Sequence, residues 1–191
     1  MNNKSHIIQQ MTSRELKNQV WLTQVIWFIL NSLFLVFLVD VDHLIKSLHW
    51  NLYEIIVYGV IVGLFISIMN ICLIHIFPKR MWDDGGINEK VFREGSRLEI
   101  ILLCFIVAIM EEILFRGIIQ AIFGYWIASI VFAVVHFRYL KKPLLLLSIV
   151  FLSFGIGYIF MYTSNLLVVI ILHFVLNITL ALRIRHKGEW G

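Results

Sequence analysis

The sequence predicts an all-α integral membrane protein: a single polytopic domain over residues 1–191, about six transmembrane helices, both termini cytoplasmic. Three observations predict it. Of the 191 residues, 60% are hydrophobic and 15% charged, and the mean hydropathy is +0.88, where charged residues approach a quarter of a soluble domain. At about 20 apolar residues per span, six spans use most of the chain and leave no room for a Rossmann or barrel enzyme on a single anchor. The cations, finally, are distributed one-sidedly. The formal charge of +4 is accordingly read as loop topology and not as nucleic-acid binding.

The spans follow in order. After a polar, basic stretch of nineteen residues, Val20 to Val39 forms the first. It is longer than a signal-peptide core, has no small-residue cleavage site, and is expected to be retained. Leu52 to Phe77 forms the second, ended by Pro78, and a polar loop runs from Lys79 to about Glu99. Ile100 to about Phe123 is the third, interrupted by Glu111, Glu112 and Arg116. Tyr125 to Phe137 is a short fourth. Pro143 opens the fifth, which ends near Tyr162, and Asn165 to Leu182 is the sixth. With these spans, fourteen of the sixteen Lys and Arg (Lys4, Arg14, Lys17, Lys79, Arg80, Lys90, Arg93, Arg97, Arg138, Lys141, Lys142, Arg183, Arg185, Lys187) share one side. Lys46 is opposite, beside Asp40 and Asp42, and Arg116 lies within a span. The positive-inside rule then places both termini in the cytoplasm and requires an even number of crossings. Cys72 and Cys104 both lie in apolar runs, so neither a disulfide framework nor a cysteine zinc site is expected.

An ionisable residue in mid-membrane costs about 2.5–3.5 kcal/mol on insertion scales and normally faces the bundle interior. The segment Met110-Glu111-Glu112-Ile113-Leu114-Phe115-Arg116-Gly117 holds three. Glu112 and Arg116 share a helical face and can pair, while Glu111 points about 100° away. A purely structural ion pair accounts for Glu112 and Arg116 but leaves Glu111 over. Two later spans add Phe132 with His136, and His173 with Asn177, each pair four residues apart and stacked on one face. One histidine in an apolar helix is usually a buried hydrogen-bonding residue. Two of them with a doubled glutamate can activate a water, or hold a metal with an open position.

These segments, in this order, resemble the family of intramembrane proteases comprising the CAAX prenyl endopeptidases and the bacteriocin-processing or self-immunity proteins, known as CPBP or Abi. Its pattern of Glu-Glu-x-x-x-Arg, Phe-x-x-x-His and His-x-x-x-Asn/Asp is met by Glu111-Glu112 with Arg116, Phe132 with His136, and His173 with Asn177. The core carrying the pattern covers about residues 98–183; the first two spans carry no signature. The resemblance implies an endopeptidase in which Glu111 and His136 activate water, His173 and Asn177 stabilise the oxyanion, and Glu112, Arg116 and Phe132 support the site. It leaves two chemistries open: a metal-free glutamate mechanism, or a divalent metal, zinc foremost, on Glu111, His136 and His173. The implied substrate is a peptide or membrane protein, lipidated in the eukaryotic members. The alternative on the same scaffold is a non-proteolytic protein, a bacteriocin self-immunity factor or a regulator of a sensor kinase. A proton-coupled transporter is disfavoured by small size and the absence of inverted repeats. Other intramembrane protease types lack their signatures: there is no His-Glu-x-x-His, intramembrane Asp pair or Gly-x-Ser-x-Gly.

Five minor expectations complete the reading. Met81 to Asn88 should be an Asp/Gly turn and not a calcium loop, and Asn88 to Arg97, followed by Leu98, an amphipathic surface helix. Trp21, Trp50, Tyr53, Trp82, Tyr125, Trp126 and Tyr162 should form interfacial belts. Gly155 and Gly157 should permit close helix packing. Glu111 lies about 16 Å along its helix from Ile100, whereas His136 ends its span. The two can meet only if the third helix starts outside the hydrocarbon or the bilayer thins.

Overall fold

The computed structural model describes residues 10–38 and 41–187, and all its regular structure is helical. Lys4, Val39 and Asp40, used above for topology, lie outside the described residues. Helix α1 is Ser13–Phe37, α2 is Val41–Lys46, α3 is Leu52–Ile76, and α4 is Ile87–Arg93. Then α5, Arg97–Glu112, passes without a break into a π-helical segment, Ile113–Gln120. Helix α6 is Ala121–Val135, α7 is Pro143–Thr163, and α8 is Leu166–Lys187. Four of these, α1, α3, α7 and α8, are long and apolar enough to cross a membrane. They correspond to the first, second, fifth and sixth expected spans.

Local chemistry sets the boundaries. Helix α1 begins seven residues before the expected Val20 because Thr12 and Glu15 form a capping box, each side chain taking the other's backbone N–H. The Ser96 hydroxyl accepts the Glu99 N–H to open α5, and Pro143 occupies the first turn of α7. Asp84 accepts the N–H groups of Ile87 and Asn88 and Asp83 that of Gly85, which is the expected turn chemistry. The surface helix stops at Arg93, short of the expected Arg97, because Gly95 turns the chain at φ 93°. At Gly124 the backbone turns sharply, with φ 83° and ψ 170°, a conformation essentially reserved for glycine. That break falls where the third span was expected to end.

Helix α1 is polar inside and apolar outside. Lys17, Gln24 and Asn31 are buried, while Leu22, Val25, Phe28 and Ile29 are exposed. A soluble amphipathic helix has the opposite arrangement; this one suits a lipid solvent. The core gathers Phe115 from the π segment, Phe132 from α6, Ile156 from α7 and Val169 and Leu172 from α8. Contacts at the two ends of the bundle join segments distant in sequence. At one end Lys17 bonds Glu99, Lys90 bonds the Met11 carbonyl, Arg138 bonds Asn88, and Arg185 bonds the Arg93 carbonyl. At the other, Asn165 bonds the His49 carbonyl and Glu54, and the Leu166 N–H bonds the Ser47 carbonyl.

Two expectations are corrected. Trp82 is buried, its indole N–H held by the Phe77 carbonyl, so it plugs a loop and does not join an interfacial belt; Trp50, Tyr53, Trp126 and Tyr162 are exposed as a belt requires. Of the two glycines in α7, Gly157 packs closely, since a Cβ there would lie 2.9 Å from Arg116 Nη1. Gly155 has nothing within 4 Å of its Cβ position and mediates no contact.

Candidate active site

The carboxylates of α5 divide between two partners. Glu112 and Arg116 are fully buried, and Arg116 Nε donates to Glu112 Oε2 at 3.2 Å. Bare charges at that depth are costly, and here they are offset by several bonds. Arg116 also donates to Gln120 Oε1 at 3.4 Å and Ser153 Oγ at 3.3 Å, and its guanidinium lies 5.2 Å from the centre of the Phe132 ring. Ser153 donates onward to the Ser129 carbonyl, and Gln120 to the Gly157 carbonyl. The other oxygen of Glu112 accepts from His173 Nδ1 at 2.7 Å. Glu112 therefore joins the cation to the histidine of α8.

The Glu111 side chain makes no hydrogen bond to that network. Its Oε2 lies 3.7 Å from His136 Nε2 and 4.0 Å from His173 Nε2. His136 stands just past the end of α6, where the last carbonyls lack helical partners. Its Nδ1 donates to one of them, that of Phe132, at 2.7 Å, and its ring stacks on Phe132 at 4.6 Å between centroids. The four-residue spacing thus fixes both ring plane and tautomer: with the proton on Nδ1, Nε2 presents a lone pair to Glu111. Phe132 is braced in turn by Phe115, 4.9 Å away. Glu111, His136, His173 and Asn177 all line one cavity of about 500 Å³. At 3.7–4.0 Å these polar atoms are beyond direct hydrogen-bond distance, where a water on the cavity side can bridge them.

A profile described as "Type II CAAX prenyl endopeptidase Rce1-like" matches residues 93–179, a stretch containing every residue just named. A Bacillus subtilis (strain 168) protein described as "Uncharacterized protein YpbD" is 38% identical over 155 residues, covering 80% of this chain and 81% of its own length. The chain belongs to this Rce1-like family. No solved structure matches it.

For this Rce1-like chain the expected site residues come together with one asymmetry. Glu111 faces His136 across the cavity, whereas Asn177 is half-buried and lines the cavity one turn beyond His173. The residue types suit a divalent metal, which Glu111, His136 and His173 would hold. Among the described residues no group of three His, Cys, Asp or Glu is placed to hold one without adjustment. Donors around tetrahedral zinc, with bonds of about 2.0–2.2 Å, lie roughly 3.3–3.6 Å apart; the two Nε2 atoms are 3.7 and 4.0 Å from Glu111 Oε2, so an ion would draw the side chains slightly inward.

Sequence reasoning missed part of the site. Gln120 meets Arg116 one turn on in the same helix, a spacing the sequence did offer; Ser129 and Ser153 join through tertiary contact, and Asn31 of α1 donates to the Met110 carbonyl at 3.0 Å, next to Glu111. Lys17, Gln24 and Asn31 repeat at intervals of seven, so one polar stripe on the first helix was visible in the sequence. It faces the motif-bearing helix.

Proposed function

We propose that the chain is a membrane-embedded endopeptidase of the CAAX prenyl protease type that cleaves a peptide bond with a water held between Glu111 and His136. The observation that carries this reading is the division of labour in the Glu-Glu pair: Glu112 neutralises Arg116 and holds His173, leaving Glu111 uncommitted in the cavity. The water donates one hydrogen bond to Glu111 and one to His136 Nε2, and its free lone pair attacks the carbonyl carbon of the scissile bond. Glu111 takes the proton. The resulting oxyanion is met by the Asn177 amide and His173 Nε2. For this His173 carries protons on both nitrogens, with Glu112 as counter-ion. Transfer of the proton from Glu111 to the leaving nitrogen breaks the C–N bond, giving an amine and a carboxylic acid that loses its proton to solvent.

The membrane arrangement proposed with it has six crossings and both termini cytoplasmic. The end contacts support this: segments carrying the cations meet at one end of the bundle, and Ser47, His49 and Asn165 meet at the other. Arg138 and Arg183 line the cavity, which supports access to it from the proposed cytoplasmic side. Purified protein in proteoliposomes should cleave an internally quenched peptide with a farnesylated Cys-a-a-X terminus. Loss of cleavage in both Glu111→Gln and His136→Ala is the expected outcome. Full activity in either removes the site, and no cleavage by wild type of any prenylated or unprenylated peptide leaves the non-proteolytic alternative.

A further inference from the structure

Helix α1 adds a second polar feature to the same cavity. Gln24, 5% exposed, and Trp27 both line it together with Glu111 and His136. Gln24 Oε1 and Trp27 Nε1 are buried and have no hydrogen-bond partner. Buried polar atoms are almost always paired, and two such exceptions three residues apart, on one helical face beside the proposed reaction site, call for a ligand. One is a neutral acceptor, the other a neutral donor. An amide group supplies the complement of both, whereas a phosphate offers acceptors only and an acyl chain neither. Their Cα atoms are about 4.5 Å apart along the helix axis, and an extended strand advances about 3.3 Å per residue, so the N–H and C=O of neighbouring peptide units can reach the pair.

We propose that Gln24 and Trp27 form a backbone clamp for the substrate: Gln24 Oε1 accepts a peptide N–H, and Trp27 Nε1 donates to a peptide carbonyl, beside the bond to be cleaved. The clamp explains why the inward face of α1 is polar where it meets the cavity. Edge-to-face packing of Trp27 on Phe115, with centroids 6.1 Å apart, fixes the indole and ties the clamp to the ring that braces Phe132. The proposal rests on the endopeptidase reading above for the identity of its ligand. It adds two residues outside the motifs, on a helix outside residues 93–179.

The test couples side chain to backbone atom. Peptides with a farnesylated Cys-a-a-X terminus are made with single amide-to-ester replacements flanking the cleaved bond, each deleting one N–H. For wild type, one of these esters should raise KM by about 3- to 10-fold, the range of one neutral hydrogen bond. In Gln24→Leu the amide peptide already shows that rise, and the ester adds nothing further. Trp27→Phe, which keeps the ring against Phe115, should raise KM similarly without abolishing kcat. A structural role alone gives no such coupling, and equal ester effects in wild type and Gln24→Leu overturn the clamp while leaving proteolysis intact. The indole ¹⁵N–H resonance of Trp27, assigned by its loss in Trp27→Phe, is followed as the amide peptide is added to the Glu111→Gln variant. A shift without cleavage by wild type keeps the clamp and removes the protease; neither shift nor cleavage removes both.

Discussion

Replacing Arg116 with methionine tests the buried network most severely. The guanidinium is fully buried and donates to three groups, but they do not weigh equally. The bonds to Gln120 and Ser153 are long, at 3.4 and 3.3 Å, and both residues keep other partners, so their loss contributes little. Glu112 is the decisive term. Without Arg116 its carboxylate keeps only His173, and stripping one partner from a buried ion pair costs about 3–5 kcal/mol. Since His173 still compensates part of the charge, a loss of about 3 kcal/mol is expected. Titration with sodium dodecyl sulfate in mixed micelles, followed by circular dichroism, measures it. The double variant Arg116→Met/Glu112→Gln should recover a large part of that loss, because the buried pair is then removed together and His173, without its counter-ion, reverts to a neutral imidazole. Destabilisation below about 1 kcal/mol in Arg116→Met, or no recovery in the double variant, would refute the reasoning.

The remaining predictions concern geometry and cofactor. Gly157→Ala forces a Cβ to 2.9 Å from Arg116 Nη1 and 3.1 Å from Ser129 Oγ and should destabilise by about 1–3 kcal/mol. Gly155→Ala, two residues away in the same helix with nothing within 4 Å, should be neutral or stabilise by up to about 1 kcal/mol; the two are compared in the same detergent titration. Gly124→Ala, at φ 83° and ψ 170°, should lose about 1–3 kcal/mol from backbone strain alone. Treatment with 1,10-phenanthroline should leave peptide turnover within about 2-fold if the water is activated by Glu111 alone, and inactivation reversed by added zinc would establish the metal chemistry instead.

Hydropathy made the four long helices legible because each keeps a high mean hydropathy over a span-length window despite the polar residues within it. The break near Gly124 was legible too, from the short span after it. The π segment was not: Ile113–Gln120 continues an apolar helix with nothing local to mark the extra residue per turn, and π turns of this kind are frequent near functional sites. Within the site, the spacings of Glu112 with Arg116 and Phe132 with His136 encode contacts inside one helix or at its end, and periodicity reads those directly. The bond from Glu112 to His173, 61 positions apart, has no such trace and came only as an implication of the resemblance that these residues serve one site. Gln24, Trp27 and Asn31 were overlooked because a first span with scattered polar residues reads as lipid-facing. Their spacing of three and seven, on a helix whose other faces are apolar, was the missed signal.

The most direct measurement follows cleavage of the farnesylated peptide in H₂¹⁸O by wild type, Glu111→Gln and Glu112→Gln in proteoliposomes. Glu111 as the base that activates water predicts one ¹⁸O in the new carboxylate from wild type. It also predicts a rate loss of at least about 10²-fold in Glu111→Gln with the fold retained, and lost stability, together with lost activity, in Glu112→Gln. Product formed by Glu111→Gln at the wild-type rate, with the same label, would contradict it.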